Sequence, residues 1–382
     1  MPTAPPVPGP YSPGFQLDPF PTLARLRARE PLSRVTHPEL GPCWLVIRYD
    51  LVKSLSADRR LIKPQNPLDG NSLNSPPPVH TRLRKLAQAG FTTQRIEALR
   101  SWAEQVTARI LDDLAVHGAA DLLTTLADPM PITVISRLLG VPDEEMDEVR
   151  RCATGFLTET EEVRDQAFGV AHQYVTGLVR HKRDHPGDDV TSALIAARDG
   201  ADQLDEDELV RLVIALLVNG SITTTNIIGT GTYLLLTHPD QLGLVRSRPQ
   251  LLRGAIEEVL RLQAPIGALT WQAAEDIAVA GSVIAAGDYV ITSLQGANRD
   301  PSWFDEPDRF DVARSPNPHL SFSHGIHHCL GAPLARMETH VALGALLRRF
   351  PGLRLDGEPV WRDSHVVRGL VHLPVAVGAP AA

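Results

Sequence analysis

The chain lacks several features that define large classes of protein. Its 382 residues include only three cysteines, Cys43, Cys152 and Cys329, which lie far apart and form no CxxC pair. An odd number of dispersed cysteines argues against a disulfide framework and favours a reducing compartment, so we expect a cytoplasmic protein. We expect no membrane association, because no apolar run reaches transmembrane length and the proline-rich segment 1–20 lacks the hydrophobic stretch of a signal peptide.

Charge and glycine patterns exclude two further classes. The net charge is −8 and the acidic residues are spread along the chain, which argues against nucleic acid as a partner. No GxGxxG or Walker-type loop is present, and GTGTYL at 229–234 lacks the third glycine. The sequence therefore predicts no site for a dinucleotide or for ATP.

Helical periodicity dominates what remains. Most segments from His80 to about Phe350 have apolar residues at helical spacing, and 1–382 reads as a single, mainly α domain with small β-sheets. The stretch IAVAGSVIAAGDYVITSL predicts two strands joined by a turn near Gly287. A further strand is predicted at CWLVIRY, residues 43–49, and two stretches interrupt the helical pattern, 263–302 and 303–325.

One predicted helix, Leu204–Asp240, is apolar nearly all round and should be buried. Its first turn is acidic, as the helix dipole favours, and His238-Pro239 ends it. The middle reads NGSITTT, residues 219–225, which are weak helix formers. Two interpretations stay open here, namely close helix–helix packing, or a bulge or opening that faces a ligand.

The stretch FSHGIHHCLGAPLAR, residues 322–336, places Cys329 after a glycine turn and just before a predicted helix. A zinc site would need His324, His327, His328 and Cys329 in one tetrahedron, which adjacent residues cannot easily form. A nucleophile has no specific support, and an inert buried thiol is the usual role of a lone cysteine. The helix N-terminus, however, stabilises a thiolate, and a thiolate is a good ligand for a soft metal such as haem iron.

With these residues, FSHGIHHCLG resembles the haem-thiolate loop of the cytochrome P-450 family, in particular its soluble bacterial members. Three further segments resemble family motifs in the same order along the chain. They are HTRLR with His80 and Arg84, EVLR with Glu258 and Arg261, and EPDRFD with Arg309.

The resemblance implies the cytochrome P-450 fold, with haem b buried between the long central helix and the cysteine loop. Cys329 would be the metal ligand. The resemblance implies further cofactor-binding residues at His80, Arg84, His327, Phe322, Gly325 and Gly331. It also implies that Arg309 joins the structural pair of Glu258 and Arg261.

Two positions depart from the family pattern. Gly220 and Thr223 match its oxygen-binding groove, but Ile222 stands where the family has a proton-relaying acid. The catalytic residues that we expect are Thr223, Gly220 and Ser221, with Ser221 helping to order water. Trp271 stands where the family often has an arginine bound to a haem propionate. The substrate-binding residues that we expect are Leu216, Asn219, Ile222, Ile266, Trp271 and Val366.

The resemblance implies a monooxygenase that activates O₂ on the Cys-ligated haem to tailor a small secondary metabolite. Electrons would come from NAD(P)H through a separate ferredoxin reductase and ferredoxin, docked near Arg82, Lys85 and Arg336, and we expect a monomer. Oxidative coupling or ring formation without oxygen insertion is an alternative, which Ile222 motivates. A non-enzymatic haem binder is a third.

Overall fold

The computed structural model describes residues 10–12, 14–64, 73–146, 148–150, 161–198, 204–364 and 367–378. Its helices are α1 (Phe20–Arg29), α2 (Tyr49–Ser56), α3 (Val79–Gly90), α4 (Thr93–Ala98), α5 (Arg100–His117), α6 (Pro129–Leu139), α7 (Glu161–Asp184), α8 (Val190–Arg198), α9 (Glu206–Thr237), α10 (Pro239–Ser247), α11 (Leu252–Leu262), α12 (Leu294–Ala297) and α13 (Ala332–Arg349). The strands are β1 (Leu32–His37), β2 (Gly41–Val46), β3 (Leu61–Ile62), β4 (Ala119–Asp121), β5 (Ala268–Ala273), β6 (Ile277–Val279), β7 (Ser282–Ile284), β8 (Tyr289–Ser293), β9 (Arg354–Leu355), β10 (Val360–Trp361), β11 (Leu370–His372) and β12 (Pro374–Ala376). The mainly helical fold with small sheets is confirmed.

The chain divides into two compact units. Unit 1 comprises Met1–Pro64, His238–Cys329 and Val360–Val371, and unit 2 comprises Gln65–Thr237, Leu330–Pro359 and His372–Ala382. Each unit is assembled from segments that lie far apart in sequence. The expectation of one catalytic domain over 1–382 stays a prediction.

Unit 1 is built on a five-stranded sheet with the order β1-β2-β8-β5-β3. Strands β2 and β8 are parallel, and the other neighbouring pairs are antiparallel. The predicted strand 43–49 ends early, at Val46, because Tyr49 already begins α2, where its N–H donates to the Asp300 carboxylate at 2.9 Å.

The prediction of two strands joined near Gly287 is confirmed in part, because a turn at Gly287, with φ of 88°, connects β7 to β8, but the number of strands was wrong. The segment forms three strands, because Ala280 and Gly281 adopt φ of 48° and 79° and close a tight hairpin between β6 and β7. Strand β8 then leaves this hairpin and pairs with β2 and β5. Pairing between strands so distant in sequence leaves no signal in the local pattern.

Unit 2 is organised around α9, which contacts α6, α7, α8 and α13. The predicted helix over 204–240 is confirmed in substance, with an acidic first turn and an end at Thr237, after which Pro239 starts α10. By length and composition alone α9 could cross a membrane, but 72% of its most apolar window is buried inside the protein. A core helix has this property, so α9 needs no membrane to cover it.

Candidate functional site

Cys329 lies on an exposed loop of unit 1 and precedes α13 in the chain. A short helical turn, Gly325–His327, comes before it, and the Cys329 N–H donates to the Phe322 carbonyl at 2.8 Å. The thiol is exposed and forms no disulfide bond, whereas the Phe322 side chain is buried. The predicted local structure, a turn followed by the helix Ala332–Arg349, is confirmed.

Gly325 is required by the geometry of this loop. Its φ is +77°, a conformation that residues with a Cβ rarely adopt. A Cβ here would also lie 2.8 Å from the carbonyl oxygen of Ser56 and 2.9 Å from the Cα of Ala57, at the end of α2. Gly331 has an ordinary φ of −81°, and a Cβ there would meet nothing within 4 Å. Only Gly325 of the two is therefore needed for the loop's path.

The donors suit a haem better than a bare metal ion. Among the residues that the structure describes, no three His, Cys, Asp or Glu side chains could together hold a metal ion, so the zinc alternative at Cys329 is not supported. Cys43 is fully buried in β2, where burial raises the pKa of its thiol. An exposed thiolate at Cys329 is what haem iron needs from a protein, since the porphyrin supplies the remaining ring donors.

Trp271 of β5 lies in the core of unit 1, with 1% of its surface exposed. Its indole N–H donates to the Thr292 hydroxyl at 2.9 Å, and its ring makes an edge contact with His327 at 5.5 Å between centroids. Trp271 is therefore held in the core of unit 1, and its role as a substrate-binding residue stays a prediction. Ile266 is half-buried and forms a β-bridge with Val367, while Val366 lies outside the described residues.

In unit 2, the middle of α9 carries an accessible strip on a helix that is otherwise buried. Asn219 is exposed and Thr223 is partly exposed, one helical turn apart, and the Thr223 hydroxyl donates to the Asn219 carbonyl at 2.9 Å. Leu216 and Ile222 lie next to this strip in the sequence, with 7% and 9% of their surface exposed. The helix is continuous from Glu206 to Thr237, so it has no bulge at residues 219–225. The opening that one of the two interpretations allowed corresponds to this accessible strip.

Two of the predicted groove residues face the interior of unit 2. A Cβ on Gly220 would lie 2.9 Å from Ile135 of α6, so this glycine allows close helix packing. Ser221 is 3% exposed, and its hydroxyl donates to the Leu217 carbonyl at 3.0 Å. The two interpretations of the weak helical run therefore apply to different residues, packing to Gly220 and an opening to Asn219 and Thr223. Ser221 is buried beside that opening, and its role as a catalytic residue stays a prediction.

His80 and Arg84 lie one turn apart on α3 of unit 2, as their spacing predicts. His80 is 3% exposed, and burial, followed by the nearby charge of Arg84, lowers the pKa of its imidazole. The lowered pKa favours the neutral imidazole of His80, which can offer a hydrogen bond. Arg84 carries a positive charge one turn after His80, whereas the charge of the nearby Arg82 is paired with Glu208.

Glu258 and Arg261 of α11 form the predicted ion pair at 2.7 Å, and both are completely buried. The prediction that the Arg309 side chain joins them is wrong, because it binds Glu306 at 2.6 Å in solvent and contributes only its carbonyl to Arg261. The third charged partner is Arg314, whose Nε donates to Glu258 at 3.0 Å. Residues 306–314 contain two arginines, Arg309 and Arg314, and the path of the loop decides which side chain turns inward.

Comparison with known proteins agrees with this arrangement. The family model described as Cytochrome P450 matches residues 131–362. The chain is 42% identical to the cytochrome P450 monooxygenase PikC of Streptomyces venezuelae, over 94% of this chain and 91% of PikC. The solved structure of the bacillaene polyketide synthase cytochrome P450 PksS of Bacillus subtilis 168 superposes with a TM-score of 0.91 at 35% identity, covering 97% and 100% of the two chains.

A second solved structure has a different described chemistry. CxnD, a cytochrome P450 enzyme for C–S bond formation in chuangxinmycin biosynthesis, superposes with a TM-score of 0.89 at 34% identity, covering 95% of each chain. These similarities span nearly the whole chain and include the cysteine loop. The chain belongs to the cytochrome P450 family and is a haem-thiolate monooxygenase.

Proposed function

We propose that this enzyme oxidises a small natural product of the polyketide type, in a tailoring step of secondary metabolism. The observation that carries the proposal is the exposed Cys329 thiol on a turn that only glycine allows, in a chain 42% identical to PikC. The similarity to PksS, a polyketide synthase P450, supports this substrate class.

The residues that would hold haem b come from several elements. Cys329 would supply the thiolate ligand, and Arg84, His80 and His327 would be the partners of the propionates. When bound, the haem supplies a redox-active iron that activates O₂, and thiolate ligation favours cleavage of the O–O bond. Phe322 and Gly325 hold the loop that presents the thiolate.

Proton supply is the task of the accessible strip on α9. The Thr223 hydroxyl and the Asn219 amide can each hydrogen-bond a water molecule there. Ile222 cannot hold or pass a proton. In this proposal the chain orders water on this strip without a carboxylate at position 222, and protons pass through that water and Thr223.

The test uses the purified holoenzyme with a surrogate ferredoxin and ferredoxin reductase driven by NADPH. Macrolactones, cyclic dipeptides, aromatics and terpenoids are titrated into the ferric enzyme, and a saturable change from low to high spin identifies the substrate class. Turnover of that compound should give a product heavier by one oxygen atom, labelled when ¹⁸O₂ is supplied. A spin change with a product that lacks the label would overturn oxygen insertion.

Oxidative coupling or ring formation without oxygen insertion is a second candidate. Ile222, which departs from the family pattern at the position of the proton-relaying acid, motivates it, because radical coupling requires no rebound of oxygen onto the substrate. The similarity to CxnD, described as a C–S bond-forming enzyme, shows that this fold accommodates bond formation. A product lighter by two hydrogens and free of ¹⁸O would select this candidate.

Electron transfer completes the proposal. A separate ferredoxin, reduced by a NAD(P)H-dependent ferredoxin reductase, supplies the electrons to a monomeric, cytoplasmic enzyme. Arg82, one of three residues expected to dock this partner, forms an ion pair with the buried Glu208. Exposed Lys85 and half-buried Arg336 are the better candidates. Reversing the charge of Lys85 should slow ferredoxin-supported reduction and leave reduction by dithionite unchanged.

A further inference from the structure

A lysine that the sequence analysis did not single out lies against Trp271. The Nζ atom of Lys63, which follows β3, is 3.8 Å from the centroid of the Trp271 ring and donates to the Thr270 carbonyl at 3.2 Å. The same Trp271 ring contacts His327, two residues before the cysteine ligand. Lys63, Trp271 and His327 all belong to unit 1 and form one cluster beside the Cys329 loop.

This lysine is costly to keep without an anion. Among the described residues no carboxylate forms an ion pair with Lys63, and burial alone lowers the pKa of its ammonium group to about 8. An ammonium has three N–H donors, and one carbonyl with one aromatic face leaves the others available. A partly buried cation of this kind is stabilised when it meets an anionic group.

The indole of Trp271 cannot supply the positive charge that binds a carboxylate. Trp271 has no charge, and its N–H is committed to Thr292. His327 contributes a ring that can form a hydrogen bond. Lys63 is therefore the cation of the cluster. It lies over the ring of Trp271, the residue at the position where the family often has an arginine.

We propose that Lys63 binds a carboxylate of the haem and so replaces, from a different strand, the charge that Trp271 does not provide. This inference rests on the proposed function, because it requires haem to be bound beside Cys329. Trp271 then positions Lys63 through its ring face, and His327 is the neighbouring hydrogen-bonding group. The carboxylate is a haem propionate, the only anionic group that the cofactor carries at its edge.

The experiment measures loss of haem from the ferric holoenzyme to excess apomyoglobin, which does not depend on turnover. Lys63→Met should lose haem about tenfold faster than wild type, since a hydrogen bond between charged groups is lost. Lys63→Arg keeps the charge and should stay close to wild type. Lys53→Met is the matched control, because Lys53 also lies over aromatic rings, 5.9 Å from those of Tyr49 and Trp303, but outside this cluster.

Reconstitution with haem dimethyl ester separates carboxylate binding from a structural role. Without free propionates, wild type and Lys63→Met should lose the esterified haem at equal rates. Equal loss of native haem from both proteins would overturn the proposal, and so would the same acceleration with native and esterified haem. If wild type forms no thiolate-type complex with carbon monoxide, the proposed function itself fails, which is a separate result from any of these.

Discussion

Replacing Gly325 with alanine should break the cysteine loop. The left-handed conformation at φ +77° costs a residue with a Cβ about 1–2 kcal/mol. The new Cβ would also press on the Ser56 carbonyl and the Ala57 Cα at under 3 Å, and crowding of that kind costs about 1–3 kcal/mol. Both contacted atoms are backbone, so they cannot move aside cheaply. The two effects together predict a loss of about 2–5 kcal/mol.

Two measurements on Gly325→Ala check this magnitude. Thermal unfolding of the ferric holoenzyme, followed by far-ultraviolet circular dichroism, should begin at a clearly lower temperature, and the fraction of haem with a thiolate-type carbon monoxide spectrum should fall. Gly243→Ala is the control, because Gly243 lies in α10 outside the cysteine loop and its Cβ would meet nothing within 4 Å, so this variant should not be less stable than wild type. Equal stability of the two variants would refute the reasoning from backbone conformation.

Three further predictions follow from buried or replaced charges. Glu338 of α13 is completely buried, and burial raises the pKa of its carboxyl well above the ordinary value, so the unfolded chain ionises first and stability falls as pH rises above about 4.3. Glu338→Gln should therefore unfold at a higher temperature than wild type near neutral pH and at the same temperature below about pH 4, whereas an equal shift at both would contradict the linkage. Arg314→Leu should lower the free energy of unfolding by about 2 kcal/mol, because Glu258 loses a charged partner. Arg309→Leu should change it little, because the Arg309–Glu306 pair is exposed to solvent. Urea unfolding measures both, and a larger loss in Arg309→Leu than in Arg314→Leu would contradict the prediction. Ile222→Glu should raise the share of NADPH electrons recovered in product, and an unchanged share would count against a missing proton relay.

Helices were predictable where the pattern was long and its ends were marked. The helix α13 runs to Arg349 as expected, because Pro333 favours its start and Pro351-Gly352 follows its end. The central helix α9 was predictable for the same reasons, from its acidic first turn to His238-Pro239. These features depend only on residues that are close together in the sequence, so they can be identified before the fold is known.

Long-range pairing could not be predicted. Strand β8 joins β2, more than two hundred residues away in sequence, which the pattern around Gly287 does not encode. The partner of Glu258 is Arg314 and not Arg309, because the loop between them turns only one guanidinium inward. Sequence spacing identifies which residue types are present in a segment but not which of them faces the core.

In the candidate site too, features set by neighbouring residues could be predicted, whereas contacts between distant residues could not. The cysteine, its glycine turn and the paired His80 and Arg84 follow local motifs and could be identified from the sequence. Lys63 was missed, because the signal for it is a contact with Trp271 across two strands. The absence of an arginine at position 271 was the one available hint that another residue must carry the charge.

The most direct test of the account is the carbon monoxide spectrum of the reduced protein. The wild-type enzyme and Cys43→Ser should both give the thiolate-type spectrum, since Cys43 is buried in β2. Cys329→Ser should lose that spectrum while still folding, as judged by circular dichroism. A thiolate-type spectrum that persists in Cys329→Ser, or that is missing from the wild type, would contradict Cys329 as the haem ligand.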